Sequence, residues 1–343
     1  MYYIGHMLRL FLALSLIFGP LAPDAQNLRV IAAHPPSSLR GLSAPAPGIL
    51  WTSGSAGTVG RSTDGGMHWT WMNVPGFSNR DFRDIEAFDS NTALIMAIDT
   101  PAVILRTSDG GAHWLTVFRD ETPGMFLDAM NFKDRDYGFV VGDPVGPPSQ
   151  ARFFLAYTLD TGRHWNPVPL TDRPLADSGE GCFASSGSNI SLQRDGDVSY
   201  PTFVSGGPVS RIFENGAPEI LPVGQGATST GANSLDIDGD NWMIVGGDFA
   251  HDTVSAGNCV YSTDAGQHWL IPHTPPHGYR SCVLHLSGNT WICCGTSGID
   301  ISRDGGDHWT LISRESFHVA AYPGSGRSVF LAGAKGRIAK LDF

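Results

Sequence analysis

The stretch Ser62-Thr-Asp64-Gly-Gly66-Met-His68-Trp69 is rewritten four more times in this chain with the same skeleton. The copies are Thr107-Ser-Asp109-Gly-Gly111-Ala-His113-Trp114, Thr158-Leu-Asp160-Thr-Gly162-Arg-His164-Trp165, Ser262-Thr-Asp264-Ala-Gly266-Gln-His268-Trp269 and Ser302-Arg-Asp304-Gly-Gly306-Asp-His308-Trp309. The tryptophans are 45, 51, 104 and 40 residues apart, so the third gap holds two periods and one decayed copy. A period of about 40–50 residues, carried by short apolar runs and Gly-rich turns, marks the blades of a β-propeller.

The box has the chemistry of a hairpin turn. An Asp side chain accepts hydrogen bonds from backbone N–H groups of its own turn, and Gly takes the left-handed conformation that a Cβ resists. The Trp opens the outgoing strand with a large ring to bury, while the preceding His points to the opposite face. The five histidines belong to five blades and cannot share one ion. The boxes therefore read as structural.

Apolar β-rich runs recur at 48–53, 93–98, 137–141, 202–205, 242–245, 291–294 and 329–332, each followed by a Gly/Pro/Asp loop. That count gives seven blades of four strands, A innermost to D outermost. In the fourth, Glu214-Asn-Gly216 replaces the box with a plain tight turn. The seventh ends in a C strand at 337–343 and has no D strand left, so the segment 27–33 is expected to supply one. The sequence thus predicts an all-β chain: one seven-bladed β-propeller over 26–343, its ring closed by the N-terminal strand.

Composition agrees. The chain has 343 residues, with 42 Gly, 23 Pro and only 16% charged residues, which suits a turn-dense β protein. A net charge of −11 disfavours nucleic acid and anionic membranes as partners. Arg9, the apolar run 10–18 and Gly19-Pro20 read as a secretory signal peptide over 1–25, too short to span a bilayer. No Cys lies near its end, so a lipid anchor is not expected. The mature protein is predicted to be exported, periplasmic or secreted, and a monomer without a membrane span. Its five cysteines have no metal-ligand spacing. Cys282 falls opposite Cys293 or Cys294 in a hairpin, which allows a cross-strand disulfide or simply buried thiols.

Loops on propellers carry function. The A–B turns share the box end, and the D–A and B–C loops share the other, the top face. One polar residue opens each inner strand: Arg40, Asp84, Asp128, Asn189, Asn233, Arg280 and His318. They are predicted to converge at the channel mouth as a polar ligand or peptide site, although the pattern also describes a water-filled tunnel wall. Nearby loop residues Arg80, Arg83, Glu86, Asp143, Glu180, Asp248, His277 and Tyr279 are accessory candidates. His273 and His277 have an HxxxH spacing, but Pro275-Pro276 forbids the helix that would align them on one metal. No metal, cofactor or catalytic residue is expected.

The repeat resembles the Asp-box (BNR) motif of sialidase-like propellers. Beyond it, Arg80-Asp-Phe-Arg-Asp-Ile-Glu86, Gly124-Met-Phe-Leu-Asp-Ala-Met130, Asp177-Ser-Gly-Glu-Gly-Cys-Phe183, Ser229-Thr-Gly-Ala-Asn233 and His277-Gly-Tyr-Arg-Ser-Cys282 make the chain similar to exported bacterial relatives of the photosystem II stability/assembly factor. That resemblance implies a seven-bladed propeller that binds protein partners during assembly without chemistry of its own. The alternative is a carbohydrate-active enzyme, a glycoside hydrolase or sialidase-like protein, with a carboxylate pair among Asp84, Glu86, Asp128, Glu180 and Asp248 and a sugar-like ligand. The sialidase Arg-Ile-Pro motif is missing, Arg211-Ile-Phe213 being the nearest string. A dinucleotide-binding GxGxxG turn between strand and helix and a Gly-x-Ser-x-Gly elbow are also absent.

Overall fold

Runs such as Ala93–Ala97 and Ser328–Ala332 are apolar nearly throughout because the central strands of a blade are covered on both faces by neighbouring blades. A single four-stranded sheet cannot bury two such faces, so the blades must stack in a ring. The computed structural model describes residues 27–34, 36–192 and 201–343, and forms seven antiparallel sheets. Their inner strands are Leu39–Ala46, Phe82–Ala87, Leu127–Phe132, Ile190–Ser191, Thr230–Asp238, Cys282–Ser287 and Val319–Ala321. The proposed leader at 1–25 lies outside the described residues. Among the described residues, no helix is long and apolar enough to cross a membrane.

Ring closure is as expected. Asn27–Ala33 pairs antiparallel with Arg337–Asp342, from Asn27 opposite Asp342 to Ala33 opposite Arg337. Leu28 and Ile31 of this strand pack on the core shared by blades six, seven and one. The decayed fourth box is a two-residue turn, with Asn215 at φ 49° and Gly216 at φ 78° joining Arg211–Glu214 to Ala217–Ile220. Blade five departs from the count. It has only three strands, and beyond Cys259–Ser262 the outgoing chain pairs with it only where Leu270 bridges Tyr261. Pro272, Pro275 and Pro276 lack the N–H groups a fourth strand would need.

All five boxes share one hydrogen-bond network. The Ser/Thr hydroxyl donates to Asp Oδ1 at 2.8–3.0 Å and accepts the Gly N–H at 2.9–3.0 Å. The same Oδ1 accepts the His backbone N–H. The His ring is no bystander: Nδ1 sits 2.5–2.8 Å from Asp Oδ2 in every copy. Bonds from the His backbone and ring hold the Asp64 and Asp109 carboxyls down at about 2. The box Trp rings vary in burial: Trp165 and Trp309 are buried, whereas Trp69, Trp114 and Trp269 are partly exposed. Trp165 meets Phe132 edge-on within the core of blades two and three. Its replacement by Ala should cost about 3–5 kcal/mol in chemical denaturation, with ligand binding by the folded fraction unchanged. A Trp165→Ala protein of normal stability that loses binding would contradict a structural role for the boxes.

Candidate functional site

At four inner strands the ladder skips one residue. Pairing passes from Leu39 to Gly41, Phe82 to Asp84, Leu127 to Ala129 and Ala232 to Ser234. The bulged residues are Arg40, Arg83, Asp128 and Asn233. In blade seven, His318 N–H bonds the carbonyl of Ala332, which lies opposite Val319; in blade six, Ser281 N–H bonds that of Cys294, which lies opposite Cys282. The equivalent residues are therefore Arg83 in blade two and Ser281 in blade six. Taking Asp84 and Arg280 for these positions is a one-residue slip, and side chains one residue apart on a strand point to opposite faces.

Arg280 accordingly leaves the channel. It is fully buried inside blade six, where Nε donates to Asp300 Oδ2 at 2.8 Å, Nη2 donates to the same oxygen, and Nη1 reaches Ser297 Oγ at 2.6 Å. His277 Nδ1 lies 2.6 Å from the other oxygen of Asp300. Asp84 is also buried. Its carboxylate accepts Ile85 N–H at 2.7 Å and Met130 N–H at 2.6 Å, tying the inner strands of blades two and three, and burial pushes its pKa up to about 8.

The channel is not an open tunnel. The segment 183–188 crosses it, hydrogen-bonded to the inner strands around it. Arg40 and Arg83 each donate to its backbone, at Ser185 O and Ala184 O, both at 3.4 Å. Ser185 Oγ donates to Asn233 Oδ1 at 2.7 Å, Ser186 Oγ to Ser281 O at 2.6 Å, and Ser188 Oγ lies 2.7 Å from Ser234 Oγ. Gly187 is required here: at φ 70°, its missing Cβ would sit 2.2 Å from Asp84 Oδ1. A tunnel wall lined only by water is thus replaced by two blind cavities.

The upper cavity, about 810 Å³, opens among the D–A and B–C loops and is lined by Arg40, Arg83, Asp143, Glu180, Tyr279 and His318, among others. The lower one, about 590 Å³, opens among the A–B turns and holds Asp84 and Glu86. Six of the sequence-derived candidates thus meet in one space, and the others lie elsewhere. Asn233 stands just behind it, accepting from Tyr279 Oη at 2.8 Å. Asn189 is buried, its Nδ2 donating to Phe183 O. Asp248 pairs with His251, and Arg80 binds the carbonyls of Ile98, Asp99 and Pro101.

Electrostatics divide the upper cavity. Burial, then the neighbouring Arg83 cation, lowers the Arg40 pKa. Burial, with Arg40, Arg83 and Arg337, drives His318 down to about 3, so its imidazole stays neutral near pH 7. Opposite, Glu180 is fully engaged by Arg211 and Ser205. Asp143 accepts Cys182 N–H at 2.9 Å, and burial lifts it to about 6. Asp128 is completely buried, and neither of its carboxyl oxygens finds a hydrogen-bond partner among the described residues. Burial and then Asp143 raise its pKa, which favours the neutral form. All five cysteines are buried free thiols, with Cys282 directly opposite Cys294.

Sequence reasoning missed Asp300 and the crossing segment. Asp300 had a signal, an acid inside the apolar strand Gly298–Ser302. The Ser-rich run 185–188 had none beyond its place in a long loop.

Comparison with known proteins adds a family. The model of the photosynthesis system II assembly factor YCF48 family matches residues 42–336. The photosystem II assembly lipoprotein Ycf48 of Synechococcus sp. (strain CC9902) is 25% identical over 271 residues, covering 77% of this chain and 72% of that protein. Among solved structures, YCF48 bound to a D1 peptide superposes with a TM-score of 0.62 at 15% identity, over 94% of this chain and 98% of that one. YCF48 from Cyanidioschyzon merolae gives 0.59 at 17%, over 92% and 98%, and the Neurospora crassa Pan2 WD40 domain 0.61 at 14%, over 94% and 97%. At these identities the structural likeness shows the fold alone.

Proposed function

The chain belongs to the YCF48 photosystem II assembly factor family, and from that premise we propose that it is an exported, non-enzymatic assembly propeller that holds a peptide segment of a protein partner in the upper cavity. The observation that carries this reading is the blind cavity with two guanidinium groups, Arg40 and Arg83, at its floor. A closed floor suits the end or a turn of a chain rather than one threaded through. Forked cations suit a carboxylate, and the hydroxyl-bearing Ser178, Thr228 and Thr296 in the same lining suit peptide amides. The D1 peptide in the solved relative supports a peptide ligand class. The apolar segment 10–18 and the lipoprotein relative support export.

A carbohydrate-active enzyme would need two carboxylates flanking one open space. Asp84 and Glu86 share the lower cavity, but both Asp84 oxygens are taken by the backbone N–H groups of Ile85 and Met130; Asp128 lines neither cavity, and Glu180 is paired with Arg211. The arrangement favours binding over turnover.

The test is fluorescence anisotropy with labelled acidic peptides carrying a free or an amidated C-terminus, beside a glycan hydrolysis screen. Arg40→Ala and Arg83→Ala should each weaken binding of the free-carboxylate peptides by about tenfold or more, measured on the fraction that circular dichroism shows to be folded. Unaltered binding by both variants, or turnover of a glycan that Asp143→Asn abolishes, would sink the proposal.

A further inference from the structure

The irregular outer edge of blade five has a chemical consequence. Freed from its own sheet, the segment after Leu270 lies against the box of blade six: Thr274 N–H bonds Asp307 O at 3.1 Å and Trp309 N–H bonds Thr274 O at 2.9 Å. This delivers His273 to a box that already holds His308 and Asp304. His273 Nδ1 lies 2.7 Å from Asp307 Oδ1. His308 Nδ1 lies 2.8 Å from Asp304 Oδ2 and 3.4 Å from Asp307 Oδ2. The two imidazoles stack at 5.6 Å with 8° between their planes. Donor atoms of His273, Asp307 and His308 all lie within 4.8 Å of one another.

The other four boxes are different. At the position of Asp307 they carry Met67, Ala112, Arg163 and Gln267, and each keeps a single His–Asp pair. Among the five boxes, two imidazoles and two carboxylates converge only at this one.

We propose that His273, Asp307 and His308, with Asp304 beside them, form a surface site for a divalent transition-metal ion of the Zn²⁺ class. Zn²⁺ takes imidazole nitrogen and carboxylate oxygen at about 2.0–2.2 Å, so tetrahedral donors stand roughly 3.3 Å apart. The present separations need only small turns of exposed side chains to reach this. Each neutral imidazole gives Nδ1 to the metal by moving its proton to Nε2. The two carboxylates balance the ion's charge. Mixed nitrogen and oxygen donors select zinc or copper over calcium or magnesium.

Zinc chloride titrated calorimetrically into the untagged full chain, with thermal melts in parallel, tests the site. The expected result is one saturable site and a raised melting temperature. His273→Gln and Asp307→Asn should each weaken zinc binding by about tenfold or more and remove the thermal shift, while the metal-free variants melt like the parent. His113→Gln, at an ordinary box, should bind zinc as the parent does. The absence of saturable uptake up to millimolar zinc, or an isotherm that both His273→Gln and Asp307→Asn leave intact, overturns the site. Equal competition by magnesium overturns the imidazole assignment. Peptide binding at the upper cavity plays no part in either readout.

Discussion

Arg280→Ala is expected to destabilise the protein by about 3–5 kcal/mol, the cost of stranding one member of a buried ion pair. Asp300 would keep only the half-exposed His277 as a partner in a site closed to water. Urea unfolding monitored by tryptophan fluorescence reads this directly. The double variant Arg280→Met with Asp300→Leu should recover much of the loss, because it removes the charge along with its partner. If Arg280→Ala instead melts normally and loses peptide binding, the guanidinium serves the channel mouth and the placement of Arg280 inside blade six is wrong.

Deleting Asn27–Ala33 should lower stability by at least about 2 kcal/mol, since it strips Leu28 and Ile31 from the core at the ring's seam. It also turns Arg337–Asp342 into an exposed edge with unpaired backbone groups, a template for association. Thermal melting and light scattering of the truncated chain should therefore fall and rise respectively. A truncated protein that melts and scatters like the intact one would show that the ring closes without this strand.

The fold was legible because its signals are local. Each box fixes its own turn within eight residues, and a C strand at the chain's end without a successor calls for a partner elsewhere. Side-chain direction was less legible. Aligning strand starts placed Arg40, Asp128, Asn233 and His318 at equivalent positions, yet bulges shift the register invisibly, so Asp84 stood in for Arg83 and Arg280 for Ser281. A slip of one residue costs nothing in composition and reverses the face. The fourth strand of blade five failed for a legible reason, the prolines at 272, 275 and 276. The His273–Asp307 contact could not be read, because its partners are 34 residues apart and meet only when that strand strays to the next blade.

The segment 183–188 gives the molecule a spoke. A ring of blades is held by neighbour contacts alone, and such an array can in principle open at any seam and peel away unit by unit. Here a loop of blade four is anchored to Arg40, Arg83, Ser234 and Ser281, on blades one, two, five and six. Opening a seam on either side must also break anchors on the far side of the axis. These anchors tie the blades into one cooperative unit, and they make the floor of the upper cavity part of the same unit.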